Sequence, residues 1–241
     1  MINLYGHFAN VYDILNVNAD YKNRAEYVLE LFKKFNKTPT LLLDLCCGTG
    51  SFTCEFLKHG IDCIGVDSSD NMLNIAREKS SALFILQKAQ ELELYGTVDG
   101  AVCMLDSINH ITNLNHLKKA FKNVHLYLEP ECLFIFDINT PYKHKQVLGN
   151  NAFNFDYEDF FAAWQNEQEK NGVRIYIDIF EKDGVKYNRF SEDFFERTYT
   201  KEQIKKLLKE SGFECLAVFD DMKFTPPKKT SERIYFVAKR K

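Results

Sequence analysis

Long apolar segments and a predominance of one charge are both missing from this sequence. No stretch approaches the roughly 20 apolar residues that span a bilayer. The region from Met1 to Asn18 lacks the charged and apolar segments of a secretory signal. The 34 acidic and 31 basic residues give a formal net charge of −3, which provides no basic surface for nucleic-acid phosphates. We therefore expect a cytoplasmic protein with no membrane association, and the charge balance disfavours a nucleic-acid partner.

Metal and disulfide patterns are missing as well. The seven cysteines are odd in number and fall mainly in apolar segments, where a reduced cysteine behaves as a small hydrophobic residue. No pair has Cys-x-x-Cys spacing, and no group of Cys and His has the spacing of a zinc site. The sequence thus predicts reduced thiols and no bound metal.

Short apolar runs alternate with segments of helical periodicity through the first part of the chain. Two N-terminal helices are predicted between Tyr5 and Phe35. After them come runs typical of strands buried on both faces, separated by helical segments. The predicted strands are 41–45, 61–66, 83–86, 99–105 and 132–138, and the predicted helices are 51–59, 71–79 and 117–128. This alternation predicts βαβ units and a parallel sheet.

The alternation stops after residue 139. Between Phe160 and Tyr199 the apolar residues recur with period two, and Asn171-Gly172 and Asp183-Gly184 are hairpin signals. They predict a three-stranded antiparallel meander over about 159–170, 173–181 and 185–199, followed by a helix over 201–211 and strands over 213–219 and 233–239. We therefore predict one α/β domain from 1–139 and 200–241, with its N-terminal helices in 1–36, and an inserted lid or substrate subdomain over 140–199.

The turn after the first predicted strand carries the main functional signal. Asp44-Leu45-Cys46-Cys47-Gly48-Thr49-Gly50 joins this strand to its helix, and a Gly-x-Gly turn lets a ligand lie against the main chain. Asp67 ends the second strand, where an acid suits the two hydroxyls of a ribose. A dinucleotide site would need Gly or Ala at Thr53, and a pyrophosphate would lie poorly beside Asp44. S-adenosylmethionine has no phosphate, so the pattern favours this methyl donor over NAD.

These segments resemble the class I S-adenosylmethionine-dependent methyltransferases. Leu43-Asp44-Leu45-Cys46-Cys47-Gly48-Thr49-Gly50 is similar to the glycine-rich motif of that family, and Ile64–Leu73 is similar to its second motif. The similarity spans about 38–140 and resumes near 200, while residues 8–13 resemble the N-terminal helix of a bacterial, small-molecule-type subgroup. The resemblance implies a Rossmann-like α/β fold. It would be a seven-stranded, mostly parallel sheet with helices on both faces, into which the antiparallel meander is inserted.

The resemblance also implies a donor site, residue by residue. Gly48 and Gly50 would lie against the methionine and ribose parts, and Asp67 would hold the ribose hydroxyls. The other implied positions are Ser68 beside Asp67, Met72 on the adenine, Asp44 and the Leu105 carbonyl near the methionine ammonium, and Tyr12 and Tyr21 closing the site.

Two positions depart from the family pattern. Cys46 stands in place of the first glycine, and Lys88 stands where the family tends to have an acid for the adenine amine. Because Lys88 can only donate, the adenine would be read by the backbone of Ala89 or by the side chain of Gln90.

Asp106 and His110 follow the fourth predicted strand and are the catalytic candidates. His110 could act as a general base or could be an ordinary hydrogen-bonded histidine. The sequence predicts methyl transfer to a small-molecule acceptor, with S-adenosylhomocysteine as the product. An RNA or protein methyltransferase and a non-catalytic nucleoside-binding protein remain alternatives, and so do a monomer and a homodimer.

Overall fold

The computed structural model describes residues 8–241 as two sheets with their helices. The chain begins with α1 (Phe8–Leu15) and α2 (Tyr21–Lys34). The predicted start of the first helix at Tyr5 lies outside the described residues. Among residues 8–241, no helix combines the length and the apolarity needed to cross a membrane.

The main sheet has seven strands and confirms the predicted fold. Its strand order is β10-β11-β5-β4-β1-β2-β3, and all neighbours are parallel except for β11, which runs antiparallel to both β5 and β10. The strands are β1 (Leu41–Leu45), β2 (Asp62–Asp67), β3 (Leu83–Leu86), β4 (Val98–Cys103), β5 (Leu128–Asn139), β10 (Phe213–Asp220) and β11 (Arg233–Arg240). The chain reverses its direction across the sheet between β1 and β4, which is where such sheets bind ligands.

Helices cover both faces of the main sheet. Apolar residues of α2 and of α3 (Ser51–Lys58) pack on one face. Those of α6 (Leu114–Tyr127) and α7 (Lys201–Glu210) pack on the other. Two further helices, α4 (Asp70–Lys79) and the short α5 (Ser107–His110), begin near the carboxyl ends of β2 and β4. Burial on both faces explains why these strands are nearly continuous apolar runs.

The inserted sheet has four antiparallel strands, so the prediction of three was wrong. The additional strand is β6 (Ala152–Asp156), which pairs with β7 (Phe160–Glu169). This strand is short, and its residues are exposed or half-buried. It therefore lacks the buried face that marks the longer strands in the sequence, and its pairing with β7 defines it. The other strands are β8 (Gly172–Asp183) and β9 (Lys186–Arg197). The strand β5 also begins at Leu128, earlier than predicted. Its pairing with β4 continues beyond a register shift, so that Val98 still pairs with Leu128.

One face of the inserted sheet packs against α1. Val173, Ile175, Ile177 and Ile179 point to this face and are buried together with the apolar side of α1 and with Met72 of α4. At roughly 25 cal/mol per Å² of apolar area removed from water, such a contact is a substantial stabilising term. The first helix is thereby held between the inserted sheet and the main domain, over the carboxyl ends of the strands.

Candidate active site

A cavity of about 780 Å³ lies at the carboxyl ends of the parallel strands, beneath α1 and the inserted sheet. A much smaller one, of about 20 Å³, continues it toward the start of α3. The large cavity is lined by eleven of the fourteen predicted site residues: Tyr12, Cys46, Gly48, Asp67, Ser68, Met72, Ala89, Gln90, Leu105, Asp106 and His110. Tyr21 and Asp44 line the small cavity. The topology therefore brings almost all the predicted positions to one place.

Gly50 is the exception, since it is not among the residues that line either cavity. Its φ is +71°, and a Cβ atom there would come within 2.9 Å of the Cβ of Ala76. Gly50 therefore allows the start of α3 to pack closely against α4.

The glycine-rich loop is tied to the end of β2 by Asp67. Its carboxylate accepts hydrogen bonds from the backbone N–H of Gly48 and of Ser69, both at 2.9 Å. The hydroxyl of Ser69 caps α4 by accepting from the Met72 N–H, so Asp67 is not the cap of this helix. Cys46 has a φ of +59° and thus adopts the left-handed conformation that glycine would adopt more easily.

Asp44 is a buried carboxyl at the end of β1. It is 1% exposed and accepts a hydrogen bond of 2.6 Å from the Thr53 hydroxyl. Thr53 thus has a structural partner at the position where a dinucleotide site would need a small residue. Burial raises the pKa of Asp44 to about 7, and the hydrogen bond from Thr53 offsets only part of this effect. A positively charged ligand group beside Asp44 would therefore stabilise its ionised form.

Asp13 joins α1 to the glycine-rich loop through side-chain hydrogen bonds. It accepts hydrogen bonds from the hydroxyls of Thr49 (2.8 Å), Ser51 (3.0 Å) and Tyr21 (3.1 Å), and it forms an ion pair with Lys79. Burial alone would raise the pKa of Asp13, but Lys79 and the hydroxyls lower it, so it is ionised at neutral pH. The sequence placed Asp13 in a family motif but did not indicate this contact.

The turn after β4 is strained and is held by a buried ion pair. Leu105 and Asp106 have φ values of 50° and 52°, a conformation that costs energy for residues other than glycine. Asp137, at the end of β5, accepts hydrogen bonds from the backbone N–H of Leu105 (3.3 Å) and Asp106 (2.6 Å). Arg233 of β11 lies 2.5 Å from the Asp106 carboxylate and 3.0 Å from that of Asp137. The turn therefore depends on Arg233 of β11, a strand that comes late in the chain.

Three acceptor atoms face one another in the cavity: Asp106 Oδ2, His110 Nε2 and Glu196 Oε1. The histidine nitrogen is 3.8 Å from each carboxylate oxygen, and all three atoms lie within 4.8 Å of one another. We call these three atoms the carboxylate–imidazole group. Their separations exceed hydrogen-bond length, and all three residues line the large cavity.

The members of this group are held by their other atoms. The second oxygen of Glu196 lies 3.0 Å from His144 Nε2 and accepts from the Asn139 amide at 3.1 Å. Burial alone would raise the pKa of Glu196, but the hydrogen bond from His144 and the charges of both histidines lower it. Asn109, next to His110, is buried and hydrogen-bonds backbone groups of β5 and β9. Carboxylates and imidazole also bind divalent cations, so the predicted absence of a metal stays a prediction.

Comparison with known proteins gives a consistent result. Residues 42–131 match the model of a family described as a methyltransferase domain. YqeM of Bacillus subtilis (strain 168), which is named as a methyltransferase, is 30% identical over 98% of this chain and 97% of its own length. A crystal structure described as an S-adenosylmethionine-dependent methyltransferase from Clostridium acetobutylicum ATCC 824 superposes with a TM-score of 0.89. It is 36% identical, and the match covers 98% of each chain.

A more distant relative has a named acceptor. The dTDP-3-amino-3,4,6-trideoxy-alpha-D-glucopyranose N,N-dimethyltransferase of Streptomyces venezuelae is 28% identical over 51% of this chain and 53% of its own length. Its match therefore covers about half of either protein.

Proposed function

Because the chain belongs to the S-adenosylmethionine-dependent methyltransferases, we propose that it transfers the methyl group to a nitrogen atom of a small molecule in the large cavity. The observation that carries this proposal is the carboxylate–imidazole group, whose three polar atoms lie within 4.8 Å of one another in a cavity that also contains the donor-site positions. A protonated amine is the small group that best satisfies three such acceptors.

The donor half of the cavity fits S-adenosylmethionine. A Cβ atom on Gly48 would meet nothing within 4 Å, so the loop leaves open space where a ligand can lie against the backbone. Within the described residues Asp44 has no ion-pair partner, and the methionine ammonium would supply one. We place the ribose at Asp67 and the adenine beside Met72, Ala89 and Gln90.

The residues of the acceptor half would prepare the nitrogen for attack. When bound, the donor supplies a methyl group on a positively charged sulfur, from which it departs readily. Asp106 and Glu196 hold the protonated amine, and His110 Nε2 takes the proton that the nitrogen must lose. The freed lone pair forms the new N–C bond as the C–S bond breaks, and the electrons of that bond stay on sulfur. Alignment can supply on the order of 7–11 kcal/mol, and a general base adds about 10²–10⁴-fold.

The name of the Streptomyces relative supports a nitrogen acceptor, since that protein is an N,N-dimethyltransferase of an amino sugar. An RNA or protein acceptor is the alternative. A binding and methylation assay with bulk RNA at low salt tests the RNA acceptor, because non-specific binding to RNA is strongest at low salt. Salt-sensitive RNA binding with methyl transfer would replace the small-molecule proposal.

Loss of activity on chelation with EDTA would assign the carboxylate–imidazole group to a divalent cation instead of an amine.

The proposed donor site predicts the effect of Asp67→Ala on affinity. The dissociation constant for S-adenosylhomocysteine, measured by calorimetry, should rise about 5- to 150-fold, because two ribose hydroxyls lose a charged acceptor worth about 1–3 kcal/mol. Asp70→Ala, an exposed acid at the start of α4, is the matched control and should leave the constant unchanged. NAD should not bind either variant or the unmodified protein. An unchanged constant in Asp67→Ala, with a lower melting temperature, would assign Asp67 a purely structural role.

Asp44→Asn should separate donor binding from stability. The native state keeps the Asp44 proton up to about pH 7, whereas the unfolded state loses it near pH 4, so the unmodified protein loses stability between those values. Without ligand at pH 8, the variant should be more stable by up to roughly 4 kcal/mol, a gain that shrinks as the pH falls toward 4. Its affinity for S-adenosylmethionine should fall. The exposed Asp62→Asn is the control in urea unfolding, and an equal gain at pH 4 and pH 8 would contradict the prediction.

A further inference from the structure

Lys143 is a cation of the large cavity whose ammonium has no partner among residues 8–241. It begins the π-helical turn Lys143–Leu148 after β5, where its backbone N–H donates to the Thr140 hydroxyl at 3.1 Å. The side chain is half-buried and lines the cavity. In the part of the chain that the structure describes, its Nζ makes no ion pair within 4.0 Å and no hydrogen bond. The nearby Lys145 is exposed and does not line the cavity.

The surroundings of Lys143 leave its charge uncompensated. Burial and the charge of Arg233 lower the pKa of its ammonium, and the carboxylates of Asp106, Glu196 and Glu232 offset this only in part. Asp106 and Glu196 each pair through one oxygen, with Arg233 and His144 respectively, and their other oxygens belong to the carboxylate–imidazole group. An anionic ligand group beside Lys143 would gain a charge-assisted hydrogen bond with a partly desolvated cation.

We propose that Lys143 binds an anionic group of the acceptor, so that the acceptor is a small amine that also carries a carboxylate or a phosphate. Both Lys143 and the carboxylate–imidazole group line one cavity, and the charges of Asp106 and Glu196, two members of that group, act on the Lys143 ammonium. The amine and the anion therefore belong to one compact molecule. Arg233 is not an alternative anion site, because Asp106 and Asp137 occupy it. The inference rests on the proposed function, since it names the acceptor class of that site.

Three probes that share a two-carbon amine test the proposal: ethanolamine, glycine and O-phosphoethanolamine. Methyl transfer from labelled S-adenosylmethionine to each is measured at steady state. We expect turnover of glycine or O-phosphoethanolamine and at least tenfold lower kcat/KM for neutral ethanolamine. The preferred anionic probe then tells whether the group is a carboxylate or a phosphate. Equal use of ethanolamine would overturn the proposal.

Variants locate the effect at Lys143. Lys143→Gln should raise KM for the anionic probe about 10- to 100-fold and change kcat less than threefold, because a charge-assisted contact is lost while the amine stays in place. Lys143→Arg should restore part of the loss, and Lys145→Gln should behave as the unmodified protein. A KM unchanged in Lys143→Gln would refute the assignment.

A binding measurement keeps the proposal testable if none of the probes is methylated. Acetylation of Lys143 by acetic anhydride is quantified by mass spectrometry in protein saturated with S-adenosylhomocysteine. Millimolar phosphate or acetate should slow the labelling of Lys143 at least threefold and leave that of Lys145 unchanged. Absence of protection would overturn the proposal. Failure of S-adenosylhomocysteine to bind in calorimetry would instead count against the proposed function, and the protection by anions could still be measured.

Discussion

Arg233→Leu should lower the free energy of unfolding by about 3–5 kcal/mol, because it leaves the buried Asp137 carboxylate without its cation. Asp137 is fully buried, and Arg233 is the only ion-pair partner that it has among residues 8–241. Burial already raises the pKa of Asp137 while Arg233 lowers it, so the variant should also lose more stability at pH 8 than at pH 5. Urea unfolding without ligand measures both effects, with a constant m-value as the sign that the denatured state has not changed.

A double variant is the control for this prediction. Asp137→Asn keeps an oxygen that can accept from the N–H groups of Leu105 and Asp106 but removes the buried charge. The pair Asp137→Asn and Arg233→Leu should therefore recover a large part of the loss, since the two residues are in contact and their effects do not add. A loss below 1 kcal/mol for Arg233→Leu, or no recovery in the double variant, would show that this ion pair does not hold the turn.

His110→Asn should lower kcat for the best amine acceptor by about 10²–10⁴-fold, the usual contribution of a general base. The change should leave the affinity for S-adenosylhomocysteine within threefold, because His110 belongs to the acceptor half of the cavity. Asparagine also keeps a polar side chain in the position fixed by the neighbouring Asn109. Steady-state methyl transfer and calorimetry on the same preparation separate the two effects.

His116 offers a matched comparison for His110. It also lines the large cavity, but it is exposed and is not part of the carboxylate–imidazole group. His116→Asn should leave kcat unchanged within threefold. Equal losses of kcat in both variants would indicate a general electrostatic effect of the cavity histidines instead of a general base. An unchanged kcat in His110→Asn would show that the reaction needs alignment of the reactants but no general base.

The positions assigned to the donor half could be grouped from the sequence because they lie mostly in one short segment of the chain, and the structure places most of them around the two cavities. Asp44, Gly48 and Asp67 lie in one strand–turn–helix–strand unit, whose local pattern fixes their relative positions. Here the structure added detail, such as the hydroxyl of Ser69 as the cap of α4. The structure also shows that Gly50 allows close helix packing, a role that its place in a ligand-binding motif does not indicate.

Only part of the acceptor half could be predicted. Asp106 and His110 follow one predicted strand and were candidates from the sequence, whereas the other residues come from separate segments. Glu196, His144 and Arg233 are single polar residues in β9, in the turn after β5 and in β11, and none belongs to a recognisable motif. They meet because β11 inserts beside β5 and the inserted sheet returns over the cavity. The missed strand β6 has the same explanation, since a short half-buried strand is defined by its pairing partner.

The position of Arg233 in the final strand has a consequence for synthesis on the ribosome. A nascent chain that has released β1 to β5 and the inserted sheet already contains the glycine-rich loop, Asp106, His110 and Glu196, but not Arg233. Until β11 has emerged and docked beside β5, Asp137 lacks its cation and the strained turn at Leu105 and Asp106 lacks half of its support. The edge of β5 is also open for pairing with another chain during that interval. Translation of β11 therefore covers the open edge of β5 and supplies the cation that pairs with Asp106 and Asp137.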